Sequence, residues 1–199
     1  MNLFISGTDT DAGKTTVSAW ICSKIKTKYW KLVQTGNDSD AYVIKKFAPD
    51  AEIISEAYKL KAPLSAYDAA KIENIVIDTK KFHSEFDKIV IEGAGGLAAP
   101  IADNFLMIDA IEKTNSAVLL AARSKLGMIN HILLSIFALK NRKIPITGII
   151  ICGNTENNIM QTIEYFSGEK ILAILPESDD LKYTFKNTPV PQEILEILT

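Results

Sequence analysis

The residues best suited to chemistry form one loop near the N-terminus, 7–16, which reads Gly-Thr-Asp-Thr-Asp-Ala-Gly-Lys-Thr-Thr. The loop follows an apolar run typical of a strand and precedes a helical pattern. Successive backbone N–H groups in such a loop, with the helix N-terminus behind them, bind polyphosphates. Lys14 can reach the β- and γ-phosphates, and the Thr15 hydroxyl can ligate Mg²⁺. We therefore expect a nucleoside triphosphate such as ATP to be bound by the loop residues Asp9, Thr10, Asp11, Ala12, Gly13, Lys14, Thr15 and Thr16.

Two details of this loop are unusual. Five residues separate Gly7 from Gly13, one more than in the common phosphate-loop pattern. The loop also carries Asp9 and Asp11, which repel a triphosphate unless a cation lies between them. That cation is either Mg²⁺ or an amino group of a substrate; the alternative is that both aspartates are solvated turn residues.

A second acidic stretch lies at the end of an apolar run, where Glu92 is followed by Gly93-Ala94-Gly95-Gly96. In phosphate-loop proteins the acid at the end of such a strand orients magnesium or its water. The glycines allow the backbone to pass close to a ligand. Glu92 is therefore a candidate metal ligand, and an ordinary turn at a strand end is the alternative.

Two further stretches carry polar groups. Lys31 opens a second strand that closes with Gln34-Thr35-Gly36, and Asp40 follows shortly after; alone, Lys31 is more typical of a solvated strand end. Residues 125–131 open a long helix whose free N–H groups suit a carboxylate. His131 lies inside that helix beside apolar positions, so we interpret it as a packing residue.

The elements that must position these residues alternate along the chain. Strands are predicted at 2–6, 30–34, 88–91, 117–121, 147–152 and 170–175. Helices are predicted at 14–28, 40–47, 107–114, 127–141 and 156–166. Several strands are apolar at consecutive positions, which indicates strands covered on both faces. We expect an α/β fold, a single domain over 1–199 whose mostly parallel sheet has helices on both faces; the stretch 50–86 is the least regular.

Composition excludes several classes of function. The chain has 199 residues, 47% of them hydrophobic, and a formal net charge of −2, which argues against nucleic-acid binding. No apolar run reaches the roughly 20 residues that a membrane helix needs. Its two cysteines, Cys22 and Cys152, lie far apart in apolar contexts and are interpreted as buried free thiols. A cytoplasmic protein is expected.

Together these stretches resemble the dethiobiotin synthetase family of biotin biosynthesis. The resemblance rests on four blocks: Gly-Thr-Asp-Thr-Asp-Ala-Gly-Lys-Thr at 7–15, Lys-Leu-Val-Gln-Thr-Gly at 31–36, Glu-Gly-Ala-Gly-Gly-Leu at 92–97 and Lys-Leu-Gly-Met-Ile-Asn-His at 125–131. The longer spacing between Gly7 and Gly13 is a trait of that family.

The resemblance implies an ATP- and Mg²⁺-dependent ligase with a phosphate-loop fold that acts as a cytoplasmic homodimer. Its substrates would be diaminopelargonic acid, CO₂ and ATP. One amine would form a carbamate, ATP would convert it to a carbamic-phosphoric anhydride, and the second amine would close the ureido ring. Dethiobiotin, ADP and phosphate would be the products.

The resemblance also implies residue roles. The catalytic residues would be Lys14, Lys31 and Thr10. The metal would be held, directly or through water, by Thr15, Asp40 and Glu92. The substrate would contact Asp11, Lys31, Thr35, Gly93, Leu126, Gly127, Ile129 and Asn130. The turn at 126–129, with Asn130, would come from the partner subunit and hold the substrate carboxylate.

The chain departs from the family pattern at several positions. Leu32 replaces a common proline, and Ala66-Tyr67 replaces a common Pro-His pair. Cys152 stands where the family usually has an adenine-reading asparagine, which leaves Asn154 as the expected base contact. The tail after Pro176, from which family base contacts often come, is short.

Two rival classes share the fold. Cobyrinate a,c-diamide synthases usually carry an additional glutaminase domain, for which 199 residues leave no room. Switch ATPases of the partitioning type carry a lysine near the front of the phosphate loop, where Asp9 stands here. The membrane-binding switch ATPases also end in a basic amphipathic helix, whereas residues 192–199 contain two glutamates and no lysine or arginine.

Overall fold

The computed structural model describes all residues from 1 to 199. The strands are β1 (Asn2–Gly7), β2 (Lys28–Lys31), β3 (Val33–Thr35), β4 (Glu52–Ile54), β5 (Tyr58–Leu60), β6 (Val90–Gly96), β7 (Pro100–Ala102), β8 (Phe105–Leu106), β9 (Ser116–Arg123), β10 (Ile146–Cys152) and β11 (Ile171–Leu175). The helices are α1 (Lys14–Lys24), α2 (Asp40–Phe47), α3 (Ala66–Ile72), α4 (Met107–Lys113), α5 (Met128–Asn141), α6 (Asn157–Ser167), α7 (Leu181–Asn187) and α8 (Gln192–Leu198). No helix is both long and apolar enough to cross a membrane.

A seven-stranded sheet in the order β11-β10-β9-β1-β6-β2-β4 forms the centre of the molecule. All of its strand pairs are parallel. Every residue of β1 is buried, which explains why its apolar residues Leu3, Phe4 and Ile5 are consecutive rather than alternate. The carboxyl ends of parallel strands meet at one edge, so β1, β2 and β6 all end beside the start of α1.

Helices cover both faces of this sheet. Leu3 and Ile5 point to one face, where they pack with residues of α1, α2, α7 and α8. Phe4 points to the other face, towards α3 and α4. Farther along that second face, α5 and α6 pack on β9 and β10 through Ile132 and Ile163. The predicted α/β architecture with a parallel sheet covered on both faces is confirmed.

The second predicted strand and the helix before it were wrong at their boundaries. The predicted helix 14–28 ends at Lys24, because Ile25 is extended and residues 28–31 pair with β4 and β6. The predicted strand 30–34 is two strands that meet at Leu32. The backbone N–H of Leu32 still donates to the backbone carbonyl of Glu92 in β6 (2.9 Å). The carbonyl of Leu32, however, accepts from the backbone N–H of Ala57 (3.1 Å), so the chain leaves the main sheet there.

The third predicted strand, 88–91, was also misplaced. Lys88 has a positive φ of 56°, which ends regular extended structure, and the strand itself runs from Val90 to Gly96 through its glycines. Between residues 50 and 86, which were left unassigned, lie β4, β5, α3 and a 3-10 turn at Thr79–Phe82. Two more helices that were not predicted, α7 and α8, bury Phe185 and Ile194 against the face that carries α1.

Candidate active site

The phosphate loop turns between β1 and α1 at the carboxyl edge of the sheet. Gly13 adopts a left-handed conformation (φ 94°), and a Cβ there would collide with the Cys152 side chain. A Cβ on Gly7 would lie 2.6 Å from the Asp9 carbonyl oxygen and 2.9 Å from Lys14 Nζ. Both positions therefore require glycine, Gly13 because of its positive φ and the Cys152 side chain, and Gly7 because the loop folds tightly around Lys14.

A polar cavity of about 430 Å³ opens above this loop. It is lined by Thr10, Asp11, Gly13, Lys14, Thr15, Thr16, Lys31, Val33, Gln34, Thr35, Asp38, Asp40, Glu92, Ala94, Gly95 and Arg123. Three of the predicted stretches, the phosphate loop, the Lys31–Asp40 segment and the Glu92 turn, thus meet in one place. They are far apart in sequence, and the parallel sheet brings them together.

Lys14 lies almost completely buried at the base of the loop. Its Nζ donates to the carbonyl oxygen of Asp9 at 2.9 Å. Burial lowers the pKa of Lys14 to about 8, with the nearby Lys31 ammonium as the second cause. An anion that reaches this ammonium would relieve both effects, since it supplies the missing opposite charge.

Glu92, the third residue of β6, is fully buried. Its Oε1 accepts from Thr15 Oγ1 (2.8 Å) and from Lys31 Nζ (2.9 Å). Its Oε2 accepts from the hydroxyl of Tyr29 at 2.9 Å. Both carboxylate oxygens therefore have hydrogen-bond donors, as a buried charge requires.

Lys31 is the cation of this cluster. Besides Glu92, its Nζ contacts Asp40 Oδ2 (2.6 Å) and donates to the Gly93 carbonyl (3.0 Å). Burial alone would lower the pKa of Lys31, but Glu92 and then Asp40 outweigh it and raise the pKa above its usual value. The sheet register pairs Lys31 directly with Glu92, which fixes this contact. Lys31 is thus a permanent positive charge rather than a solvated strand end.

The oxygens around Thr15 fit a small divalent cation. Thr15 Oγ1 lies 3.0 Å from Asp40 Oδ1 and 2.8 Å from Glu92 Oε1, yet a hydroxyl has only one proton to donate. Two carboxylates and one hydroxyl form an all-oxygen donor set of the kind that Mg²⁺ uses beside phosphates. No cluster of three or more His, Cys, Asp or Glu side chains suited to a metal occurs in the molecule.

The remaining loop residues lie at the cavity rim. Asp11 is exposed with a positive φ of 46°, and it lines the cavity with Thr10 and Thr35. Asp9 caps the backbone N–H of Thr10 and lies 3.7 Å from Lys125 Nζ. Asp9 therefore faces the segment before α5 rather than the oxygens of Thr15, Asp40 and Glu92.

Several residues assigned from the family resemblance lie outside this cavity. Gly93 packs beneath it, where a Cβ would lie 2.9 Å from the Phe4 ring. The segment before and at the start of α5 lies on the outer surface; it contains Leu126, Gly127, Ile129 and Asn130. Asn154 lines a separate cavity of about 270 Å³ on the other side of the loop, together with Cys152, Arg123 and Glu177.

Three side chains of the site were missed by sequence reasoning. Tyr29 reads as a core aromatic, although it lies two residues before Lys31 and strand alternation puts both on one face. Gln34 accepts the backbone N–H of Asp40 through its Oε1 (3.2 Å) and so holds the start of α2. Arg123 ends β9, lines both cavities and pairs with Glu177 (3.1 Å); its position at a strand end was the available signal.

The fold and the loop together define a phosphate-loop nucleotide-binding protein. Among solved structures, the cell division protein complex of MinC and MinD from Aquifex aeolicus matches 99% of this chain and 93% of that chain, with a TM-score of 0.58 and 13% identity. A ParA family ATPase from Chlorobium tepidum covers 98% and 92%, with a TM-score of 0.55 and 13% identity. At such low identity these similarities establish the fold alone.

Relatives found by sequence identify the family as well as the fold. A family model described as an AAA domain matches residues 1–184. The ATP-dependent dethiobiotin synthetase of Lawsonia intracellularis is 38% identical over 201 residues, which covers 99% of this chain and 98% of the relative. That of Paramagnetospirillum magneticum is 39% identical over 86% of this chain and 85% of the relative. The chain belongs to the ATP-dependent dethiobiotin synthetase family, and the two rival classes are not supported.

The lowered pKa of Lys14 predicts a pH-dependent affinity for ATP. A phosphate bound at Lys14 would raise its pKa, so the affinity for ATP should be highest below the free pKa of about 8 and should fall as pH rises through that value. Isothermal titration calorimetry from about pH 7.5 to about 9.5 should give a loss of up to about tenfold per pH unit. The affinity of Lys14→Arg for ATP should not depend on pH in this range, because arginine stays charged throughout. If the affinity of the unchanged protein is also independent of pH, Lys14 does not contact the phosphates.

Proposed function

We propose that this family member uses ATP and Mg²⁺ to form dethiobiotin from diaminopelargonic acid and CO₂, with ADP and phosphate as the other products. The observation that carries the proposal is the convergence of Lys14, Lys31, Asp40 and Glu92 on one cavity beside a phosphate loop. Phosphoryl transfer to a carbamate brings two anions together, and fixed positive charge is the main contribution a protein can make. Family membership supplies the identity of the substrates.

The phosphate loop and Lys14 would hold the triphosphate. Lys14 Nζ donates to the carbonyl of Asp9 at 2.9 Å. Phosphate oxygens would replace this carbonyl as its acceptor, with the N–H groups of residues 12–16 around them. Lys14 would then neutralise charge on the transferred phosphoryl group.

Thr15, Asp40 and Glu92 would hold Mg²⁺, directly or through water, as their shared oxygen contacts support. When bound, the ion supplies electrostatic stabilisation of the transferring phosphoryl group. Lys31, buried between Asp40 and Glu92, would orient these carboxylates and also attract the carbamate oxygen that accepts the phosphoryl group.

The diamine would lie at the rim of the cavity. Asp11 and Glu92 carry negative charge that attracts a protonated amine, and Thr10 and Thr35 offer hydroxyls beside them. One amine would add to CO₂ to form the carbamate. After phosphorylation, the second amine would attack the carbamic-phosphoric carbon, release phosphate and close the ureido ring.

We also propose that the enzyme is a homodimer whose partner completes the substrate site. Exposed residues recur at helical spacing along α5, at Asn130, Leu134 and Phe137, and the exposed Leu126 lies just before the helix. Leu134 also lines a cavity of about 400 Å³ with Thr8–Thr10 and Leu97. An apolar face continuous with the loop suits a second copy of this chain. The helix start near Asn130 would then hold the substrate carboxylate across the interface.

The remaining expectations also belong to this proposal. Residues 1–199 would act as a single domain, since one continuous sheet runs through them. ATP dependence and two free thiols fit the reducing, ATP-rich cytoplasm.

A direct assay tests the reaction. The protein is incubated with ATP, Mg²⁺, ¹³C-bicarbonate and diaminopelargonic acid, and the product is identified by mass spectrometry. Dethiobiotin that carries one ¹³C atom is expected, together with stoichiometric ADP. Lys14→Ala is the matched control and should lose about a thousandfold in turnover while remaining folded. ADP without labelled dethiobiotin would contradict the proposal.

The composite site predicts complementation between inactive variants. Lys14→Ala and Asn130→Ala damage different halves of each site, so a mixed dimer contains one site with both residues intact. Mixing equal amounts of the two inactive proteins should therefore restore roughly a quarter of the activity of the unchanged enzyme, because half of the dimers are mixed and each mixed dimer has one intact site of two. No recovery, after subunit exchange has been confirmed by mass spectrometry, would contradict a shared site.

Weak discrimination among nucleotide bases is also predicted. Strong selectivity requires buried polar groups that a mismatched base leaves unpaired. Cys152 is a poor hydrogen-bonding group, and burial raises its pKa to about 12, so it stays a neutral thiol. GTP and CTP should therefore support turnover within about tenfold of ATP. A preference for ATP above about a hundredfold would mean that Asn154 or the tail reads the base.

A further inference from the structure

Tyr29 has a polar contact that its place in the core does not require. Its side chain is fully buried in the cluster that joins β1, β2 and α1. The hydroxyl donates to Glu92 Oε2 at 2.9 Å. Packing alone would be served by phenylalanine, so the hydroxyl has a separate role.

The contact fixes how the Glu92 carboxylate is turned. Oε1 faces the cavity, where it meets Thr15 and Lys31, whereas Oε2 has the Tyr29 hydroxyl as its hydrogen-bond donor. A carboxylate can rotate about its last bond, and both oxygens are chemically equal before they are bonded. A donor on one side selects the rotamer that leaves the other oxygen towards the cavity.

We infer that Tyr29 is a positioning residue for the metal site: its hydroxyl orients Glu92 so that Oε1, together with Thr15 and Asp40, receives Mg²⁺. This inference rests on the proposed function of Glu92 as a metal ligand. Tyr29 itself does not reach the reacting groups, because it lies behind Glu92 and does not line the cavity. Loss of the hydroxyl leaves Oε2 without a donor and allows the carboxylate to turn.

The test is the affinity for Mn²⁺ as a probe for magnesium, measured by electron paramagnetic resonance with ADP bound. Tyr29→Phe removes one oxygen atom and keeps the ring. Because outer partners of metal ligands are worth about tenfold or more in metal affinity, Mn²⁺ should bind about tenfold more weakly. Affinity for ADP without metal should change by less than about twofold, since the phosphate loop is untouched.

Tyr58→Phe is the matched control. The Tyr58 hydroxyl accepts from the backbone N–H of Asp78 at 2.7 Å, away from the cavity. The Tyr58→Phe variant should therefore bind Mn²⁺ as tightly as the unchanged protein. An equal loss in both variants, or a Tyr29→Phe protein that binds Mn²⁺ as tightly as the unchanged one, overturns the inference.

Glu92→Gln separates this inference from the proposed metal site. If Glu92→Gln weakens Mn²⁺ binding but Tyr29→Phe does not, only the role of Tyr29 fails. If neither variant weakens it, both the metal site and the inference fail. The double variant Tyr29→Phe/Glu92→Gln should bind Mn²⁺ no more weakly than Glu92→Gln alone, because the hydroxyl acts through the carboxylate; a further loss would indicate a structural effect of Tyr29 and overturn the inference.

Discussion

A carboxylate with no exposure to water is the constraint on which this structure depends. Glu92 lies inside the molecule, and an isolated charge there would be strongly unfavourable. Lys31, Thr15 and Tyr29 supply its hydrogen bonds. These three residues come from β2 and from the phosphate loop and its helix, so the charge of one side chain joins two parts of the nucleotide site. Buried polar clusters of this kind have a geometry that is costly to change.

The backbone around Glu92 is arranged to serve the same contacts. The register between β2 and β6 sets Lys31 opposite Glu92, and the chain leaves the main sheet one residue later, at Leu32. That departure frees the following segment to cross the cavity, where Gln34 holds the N-terminus of α2. Asp40, the first residue of α2, then reaches Lys31 from above. A single positive charge thus organises two acids and the hydroxyl between them.

Much of this site could be predicted from sequence because its local signals are strong. The glycines and Lys14 of the phosphate loop have a spacing that few other structures require, and an acid at the end of an apolar strand has a defined place in such folds. Lys31 could not be distinguished from a solvated strand end without the resemblance, because its partner lies 61 residues away. Tyr29 had no local signal other than alternation. Its role depends on strand register, which residues far apart in sequence determine.

The missed elements share a different cause. Strands β4 and β5 have three residues each, too few to display a periodic pattern. Helices α7 and α8 have seven residues each, and they are stabilised by packing of Phe185 and Ile194 on the core rather than by intrinsic propensity. The end of α1 was misjudged because pairing of Lys28 and Tyr29 in the sheet overrides their helical spacing.

The Glu92 charge and the Lys31 charge each stabilise the other inside the molecule. A double-mutant cycle tests this coupling, with the free energy of unfolding measured in urea for Lys31→Met, Glu92→Gln and the double variant. Removal of Lys31 alone leaves buried carboxylates uncompensated and should cost about 3–5 kcal/mol. The double variant should be less destabilised than the sum of the single variants by about 2 kcal/mol or more. If the effects of the two single variants add to within about 0.5 kcal/mol, the two charges are not coupled.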